Sequence, residues 1–354
     1  MTNDASSQIQ PQNKYIVWLD NAKILSIFAV VIGHVTSTLM AINEIGSTNW
    51  WYGHVFRSMI NWCVPVFVMV SGALLLDPKK KEDYATFYKK RFSKIFIPLV
   101  FWTVIYTLLV LKTGYYGDYI IPTTHELIRH LLTGTPYYHM WFLYMIIGLY
   151  LFTPFFRKIV ENTTRRELIL LVMISLLFAM LSTGYSILIN GTDKRVLFTN
   201  QFLPFIPYFF TGYLINTSEF KPKKPALWIV SIVSFIISFL GCYYFMYTRG
   251  INSGEYFNES LSFAVVPMSI SIMVLLKSWR KPIINNQFTK KLASLTLGIY
   301  LIHPLFFLGI LMLIHGLNSL HPLLSISLIT LVTYFISLLA VWGISKVPIL
   351  NRIQ

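Results

Sequence analysis

VWLDNAKILSIFAVVIGHVTSTLMAI, residues 17–42, is the stretch that decides the fold. It is apolar almost throughout and exceeds the roughly 20 residues needed to cross a hydrocarbon core as a helix. Water is therefore not its main solvent. Asp20, Lys23 and His34 interrupt it, and ionisable residues inside such a helix are costly and mark sites or pathways.

Outward from this run, similar stretches recur near residues 55–76, 92–111, 140–156, 168–189, 201–215, 226–248, 261–276, 292–314 and 322–345. The expectation is an all-α, polytopic membrane protein of about ten spans, and 55% hydrophobic against 12% charged residues agrees with it. Its parts are a polar tail over 1–16, one membrane domain over 17–345 and a short cytoplasmic tail over 346–354. The tail MTNDASSQIQPQNK lacks the pattern of a signal peptide, so the first span is expected to direct insertion itself.

The net charge of +15 follows the membrane. With the N-terminus inside, inner segments hold 23 of the 29 basic residues, and only Arg57, Lys112, Arg129, Lys194, Arg195 and Arg249 fall outside. That bias sets both termini in the cytoplasm. A nucleic-acid partner would need the charge gathered on one folded face with stacking aromatics, and it is spread over loops instead. Trp18, Trp50, Trp51, Trp102 and Trp141 lie near span ends, as interfacial anchors do. Cys63 and Cys242 stand alone in apolar runs, so neither a disulfide framework nor a metal site is expected.

Lys23 and His34 are eleven residues apart, about three turns, so they share a helix face roughly 16 Å apart. Lys23 can snorkel to the inner interface while His34 lies past the midplane. An anion held at the inner face could then extend a long arm to His34. Two plainer readings stand beside this one: Asp20 pairs with Lys23 one turn away, and His34 is a hydrogen-bonded core residue. Tyr300 and His303 lie in the ninth span, with His303 about 18 Å above Lys291 on a straight helix, at a depth similar to His34. PYYHMW, residues 136–141, adds His139 and Trp141 in a cluster that either stacks on a sugar ring or anchors the span. Neutral imidazole suits a base that takes a proton from an alcohol. Ser71 and Gly72 read as a close helix contact. Arg91 and Lys94 in KRFSKIFIP, residues 90–98, can clamp a phosphate or simply belong to the inner charge, and Pro98 can bend their helix.

These segments resemble, in order, the motifs of the acyltransferase-3 family of bacterial membrane proteins. LDNAK with Lys23 to His34 is similar to the family's basic residue, ten residues, histidine motif; VFVMVSGALL, KRFSKIFIP, YYHMWFL and SLTLGIYLIHPLFF are similar to four others. The likeness is nearest to stand-alone members that O-acetylate surface polysaccharides, enterobacterial common antigen among them. It implies transfer of an acyl group, acetyl in the first instance, from cytoplasmic acyl-coenzyme A to a glycan hydroxyl across the inner membrane, with no metal. It makes His34 the catalytic histidine, either as base or as transient acyl carrier, and Lys23, Arg91 and Lys94 the coenzyme-binding residues; Asp20, His139, Trp141, Tyr300 and His303 become supporting or substrate residues. Lys23 and Lys94 stand where the family more often has arginine, which keeps the charge and loses the fork. No appended hydrolase-like domain is visible, so acceptor handling is expected from the membrane domain or a partner. The rival class, an exporter using the histidines as proton relays, predicts inverted repeats with paired broken helices, a pairing the sequence does not display.

Overall fold

The computed structural model describes residues 16–79, 82–114, 120–189, 197–313, 320–348 and 350–354. Lys14, Lys80, Lys81, Lys194 and Arg195 from the charge pattern, and nearly all of the predicted tail 1–16, lie outside them. Among the described residues there is helix and no strand. In chain order the helices are α1 (Val17–Ala41), α2 (Thr48–Ile60), α3 (Cys63–Leu75), α4 (Tyr84–Arg91), α5 (Ile97–Thr113), α6 (Thr124–Leu132), α7 (Trp141–Asn162) and α8 (Arg165–Gly184). There follow α9 (Ile206–Thr217), α10 (Lys224–Arg249), α11 (Ile251–Glu255), α12 (Val265–Ser278), α13 (Asn286–Ser294), α14 (Thr296–Leu313) and α15 (Pro322–Ile344).

Helix occupies every one of the ten predicted segments, but not as ten uniform spans. Among the described residues seven helices are long and apolar enough to cross a membrane, or eight if the bent pair α13–α14 is one span. The helix over 206–217 has 12 residues and that over 265–278 has 14, about 18 and 21 Å at helical rise, short of the hydrocarbon thickness. Two predicted starts were late. Helix begins at Thr48, not 55, because Ser47 caps it by accepting from Trp50 N–H at 3.3 Å. It begins again at Tyr84, not 92, under the cap of Asp83, whose carboxylate accepts from Thr86 N–H at 3.0 Å. Hydropathy cannot register these ends, because caps and first turns are polar.

The outward faces settle the solvent. α8 exposes Leu170, Met173, Phe178 and Leu181, and α10 exposes Trp228, Ile229, Ile232 and Leu240. Apolar surface this continuous would aggregate in water, and it suits lipid tails. The chain is an all-α, multi-pass membrane protein.

Inside, α3 and α9 pack with their backbones nearly touching. A Cβ at Gly72 would stand 1.8 Å from the Phe209 carbonyl oxygen, and one at Gly212 would stand 1.8 Å from that of Met69. Small residues permit such an approach, as the sequence reading of Gly72 held. Around the seam lie Val68, Met69, Tyr208 and Phe209, all fully buried. A second core joins α1, α5, α14 and α15 through Ile27, Val31, Tyr106, Ile299, Leu301 and Val341. Cys63 and Cys242 are both free and buried.

Several cations at one end of the bundle are committed to helix C-termini, whose orphan carbonyls carry partial negative charge. Arg157 Nε donates to Leu75 O at 2.7 Å, at the end of α3. Lys277 Nζ donates to Ile215 O and Ser218 O, both at 2.5 Å, at the end of α9. Arg165 Nη2 donates to Leu214 O at 2.9 Å. These residues hold the fold together at this end, and Lys23, Arg91 and Lys94, the cations expected to bind a ligand, are not among them.

Candidate active site

Three elements bring three histidines together. His34 comes from α1, His303 from α14, and His139 from the turn that leads into α7. The His34 and His303 rings stack with centroids 5.2 Å apart and planes at 27°, and His139 meets His303 edge-on at 5.7 Å. Tyr138 lies 4.8 Å from His34. Tyr300 and Tyr106 flank His139 at 5.3 and 4.8 Å. The depth match expected from sequence is thus present, although one step of its arithmetic fails. The helix bends by 56° between α13 and α14, so the climb from Lys291 to His303 is about 14 Å along the α14 axis instead of 18.

Why the imidazole of His303 points as it does follows from Pro304. Proline has no N–H, so the carbonyl of Tyr300, four residues earlier, loses its helical donor. His303 Nδ1 supplies the replacement at 2.8 Å, and Ile299 O also lies 3.1 Å from it. Carbonyl oxygens only accept, so Nδ1 carries the hydrogen and Nε2 holds the lone pair. That Nε2 is buried with no hydrogen-bond partner among the described residues. Tyr300 donates its hydroxyl to His139 O, and Tyr106 donates to Leu301 O at 2.6 Å. The backbone around the imidazoles is fixed by these bonds, while both ring nitrogens of His139 lack partners among the described residues.

Accessibility separates the three. His139 and His303 are 1% and 0% exposed, whereas His34 is half-buried. Of the three, His34 keeps the most accessible surface.

At the basic end Lys23 Nζ pairs with Asp20 Oδ1 at 2.8 Å, so the plainer reading of that pair is present too. Lys94 is exposed and within electrostatic reach of Arg91, Lys23 and Lys90. The expected α-helical turn between Arg91 and Lys94 is in fact a π turn over Phe92–Phe96, in which Ile97 N–H reaches Phe92 O. Pro98 removes the donor that Lys94 O would otherwise receive, and the wider turn absorbs the defect. Arg91 lies over the rings of Phe87 and Tyr150 at 5.4 and 5.8 Å, and its Nε is buried without a partner among the described residues. Beside it a cleft of about 180 Å³ is lined by Glu82, Phe87, Arg157 and Lys158.

Trp141 is not part of the histidine cluster. The first turn of α7 rotates it away, onto Phe142 and Phe205 at 6.3 and 5.8 Å. Arg57, on the other hand, was counted as outer-loop charge, yet it lies inside the span Thr48–Leu75. Its Nη1 would be 3.6 Å from a Cβ at Gly33, the residue before His34. The rule that flagged His34, an ionisable group within an apolar run, could have flagged Arg57 as well.

A family model described as an acyltransferase domain matches residues 16–342, from the start of α1 to near the end of α15. Among curated proteins, the nodulation protein NolL of Sinorhizobium fredii (strain NBRC 101917 / NGR234) is 23% identical over 144 residues, 41% of this chain. The aligned stretch spans 37% of that relative's length. No solved structure matches the chain.

Proposed function

The chain belongs to the acyltransferase-domain family, and on that premise we propose an O-acyltransferase of the bacterial inner membrane that takes acetyl from cytoplasmic acetyl-coenzyme A. The acceptor is a hydroxyl of an exported or lipid-linked glycan, met at the outer side. One observation carries the reading: His34, the half-buried member of a closed cluster of imidazoles and phenols, stands about 16 Å along one straight helix from the basic end.

Lys94 and Arg91, with Lys23, hold the coenzyme's phosphates as charge-assisted donors. Asp20 sets the Lys23 ammonium in place. The pantetheine arm runs along α1 and delivers the thioester to His34. Fixed proximity of thioester, hydroxyl and base makes the reaction effectively unimolecular. His34 takes the proton of the acceptor hydroxyl, and His303, its tautomer fixed through Pro304, offers Nε2 as a hydrogen-bond acceptor that orients the same hydroxyl. His139 and Tyr300 keep the backbone beside these imidazoles rigid through their mutual bond.

Replacing His34 with alanine tests the reading. Acetylation of the surface glycan is expected to vanish while the protein remains inserted and folded in the membrane. Undiminished glycan acetylation in that variant would sink it.

A further inference from the structure

Acyl transfer to a hydroxyl passes through a tetrahedral intermediate whose former carbonyl oxygen is negative, and stabilising that oxygen is commonly the largest catalytic contribution. The residues given roles so far bring no positive charge to it, His139 and Tyr138 being neutral donors only. Lys23 is three turns away from His34, and His303, through Nε2, only accepts.

Arg57 is placed for the task. It lies nine residues into α2, about 14 Å from that helix's start, while His34 is seven residues, about 11 Å, from the matching end of α1. The two are therefore at similar depth. Gly33 opens the gap between them. An added Cβ there would meet Ile60 Cδ1 at 2.9 Å and Arg57 Nη1 at 3.6 Å, so the guanidinium rests against α1 where a side chain is missing. Its charge reaches the His34 ring as well as Cys63 and Cys242. Glu255 also acts on Cys242, yet among the described residues Arg57 forms no ion pair, with Glu255 or with any other carboxylate. A guanidinium within a span and without an anion is costly. Such a charge fits a site whose anion exists only during turnover.

We propose that Arg57 is a catalytic residue that holds the oxyanion formed beside His34. The inference rests on the acyltransferase reading above. The acceptor oxygen attacks the thioester carbonyl carbon, forming the C–O bond, as its proton passes to His34. The carbonyl π pair moves onto oxygen, where the Arg57 fork donates two hydrogen bonds. When that pair returns, the C–S bond breaks, and the departing sulfur takes the proton from His34 to leave as the free thiol. Ester and thiol account for every atom, and His34 and Arg57 return to their starting states.

The test uses membranes from host cells carrying the full-length protein, supplied with acetyl-coenzyme A labelled in the acetyl group. Label in extractable glycan is followed as a function of donor concentration. Arg57→Gln is expected to lower kcat by 100- to 1,000-fold, the range for loss of one oxyanion donor, with KM for acetyl-coenzyme A unchanged. Arg57→Lys, which keeps the charge and loses the fork, should fall about tenfold. Should the glutamine variant fail to accumulate in the membrane, the lysine variant carries the test. An unchanged kcat in either accumulated variant, or a loss that appears only as a raised KM, overturns the assignment of Arg57 and leaves the parent reading standing. Wild-type membranes that label glycan no better than His34→Ala membranes overturn the parent reading, and this inference with it.

Discussion

Replacing Gly72 with alanine should force α3 and α9 apart. The new Cβ would lie 1.8 Å from Phe209 O, while ordinary contact begins near 3.4 Å, so the helices must separate by roughly 1.5 Å. The obstruction is backbone on both sides, so no rotamer change relieves it. Overpacking a core costs about 1–3 kcal/mol, and a backbone clash amid Val68, Met69 and Phe209, all fully buried, belongs at the upper end. For 354 residues about 3 kcal/mol corresponds to a fall of roughly 4 °C in the unfolding midpoint, read in detergent at a fixed scan rate because such unfolding is commonly irreversible. Gly212→Ala should behave alike, since it meets Met69 O at the same 1.8 Å. The sharper test is the pair. One separation makes room for both methyl groups, so the double variant should lose about as much as the worse single one. A midpoint within about 1 °C of wild type for Gly72→Ala, or fully additive losses in the double variant, would refute the reasoning.

Pro304→Ala returns an N–H to Tyr300 O and so competes with His303 Nδ1 for that carbonyl; turnover should fall about tenfold, or about 1.4 kcal/mol, with donor KM unchanged, and steady-state kinetics would expose an unaltered kcat. Arg91→Ala should raise KM for acetyl-coenzyme A about tenfold and leave kcat alone, the pattern of lost uniform binding; a change in kcat only would contradict phosphate holding. In α6, which lies outside the spans, the backbone N–H and hydroxyl of Thr123 donate to Glu126 and hold its carboxyl below the usual range. A lowered value means the cap is fully in force above the ordinary carboxylate range and is lost as pH falls through the lowered one. Protection of the Glu126 amide, its exchange rate compared with the intrinsic rate at each pH, should fall on that acidification, and protection that does not change with pH would count against the cap.

What the sequence made legible was whatever depends on composition and local spacing. The membrane class followed from apolar runs, the Lys23 and His34 register from an unbroken helix, and the Gly72 contact from small size. Features set by backbone defects were hidden. Leu292 through Leu301 read as one apolar continuation, so the bend between α13 and α14 left no trace in hydropathy. Trp141 looked like a companion of His139 because they are two residues apart, yet a helix begins between them and turns the indole elsewhere. Arg57 was missed because a charge near a predicted span end was assigned to the loop, when the cap at Ser47 had already carried the helix a further two turns outward.

The π turn over Phe92–Phe96 can be regarded as a rotational setting. A π turn accommodates one residue more than the α-helical ladder, so α4 is turned by about 100° about its axis relative to α5 compared with a regular helix. Arg91 lies on the near side of that step, above Tyr150, and Lys94 lies within it. Deleting one uncharged residue from this segment would remove the π turn, preserve every charge, and swing Arg91 off Tyr150. The spatial relation of the two cations is therefore encoded in the number of residues between Arg91 and Pro98 as much as in their identity, and an insertion or deletion there would act as a substitution of the site without altering a single side chain in it.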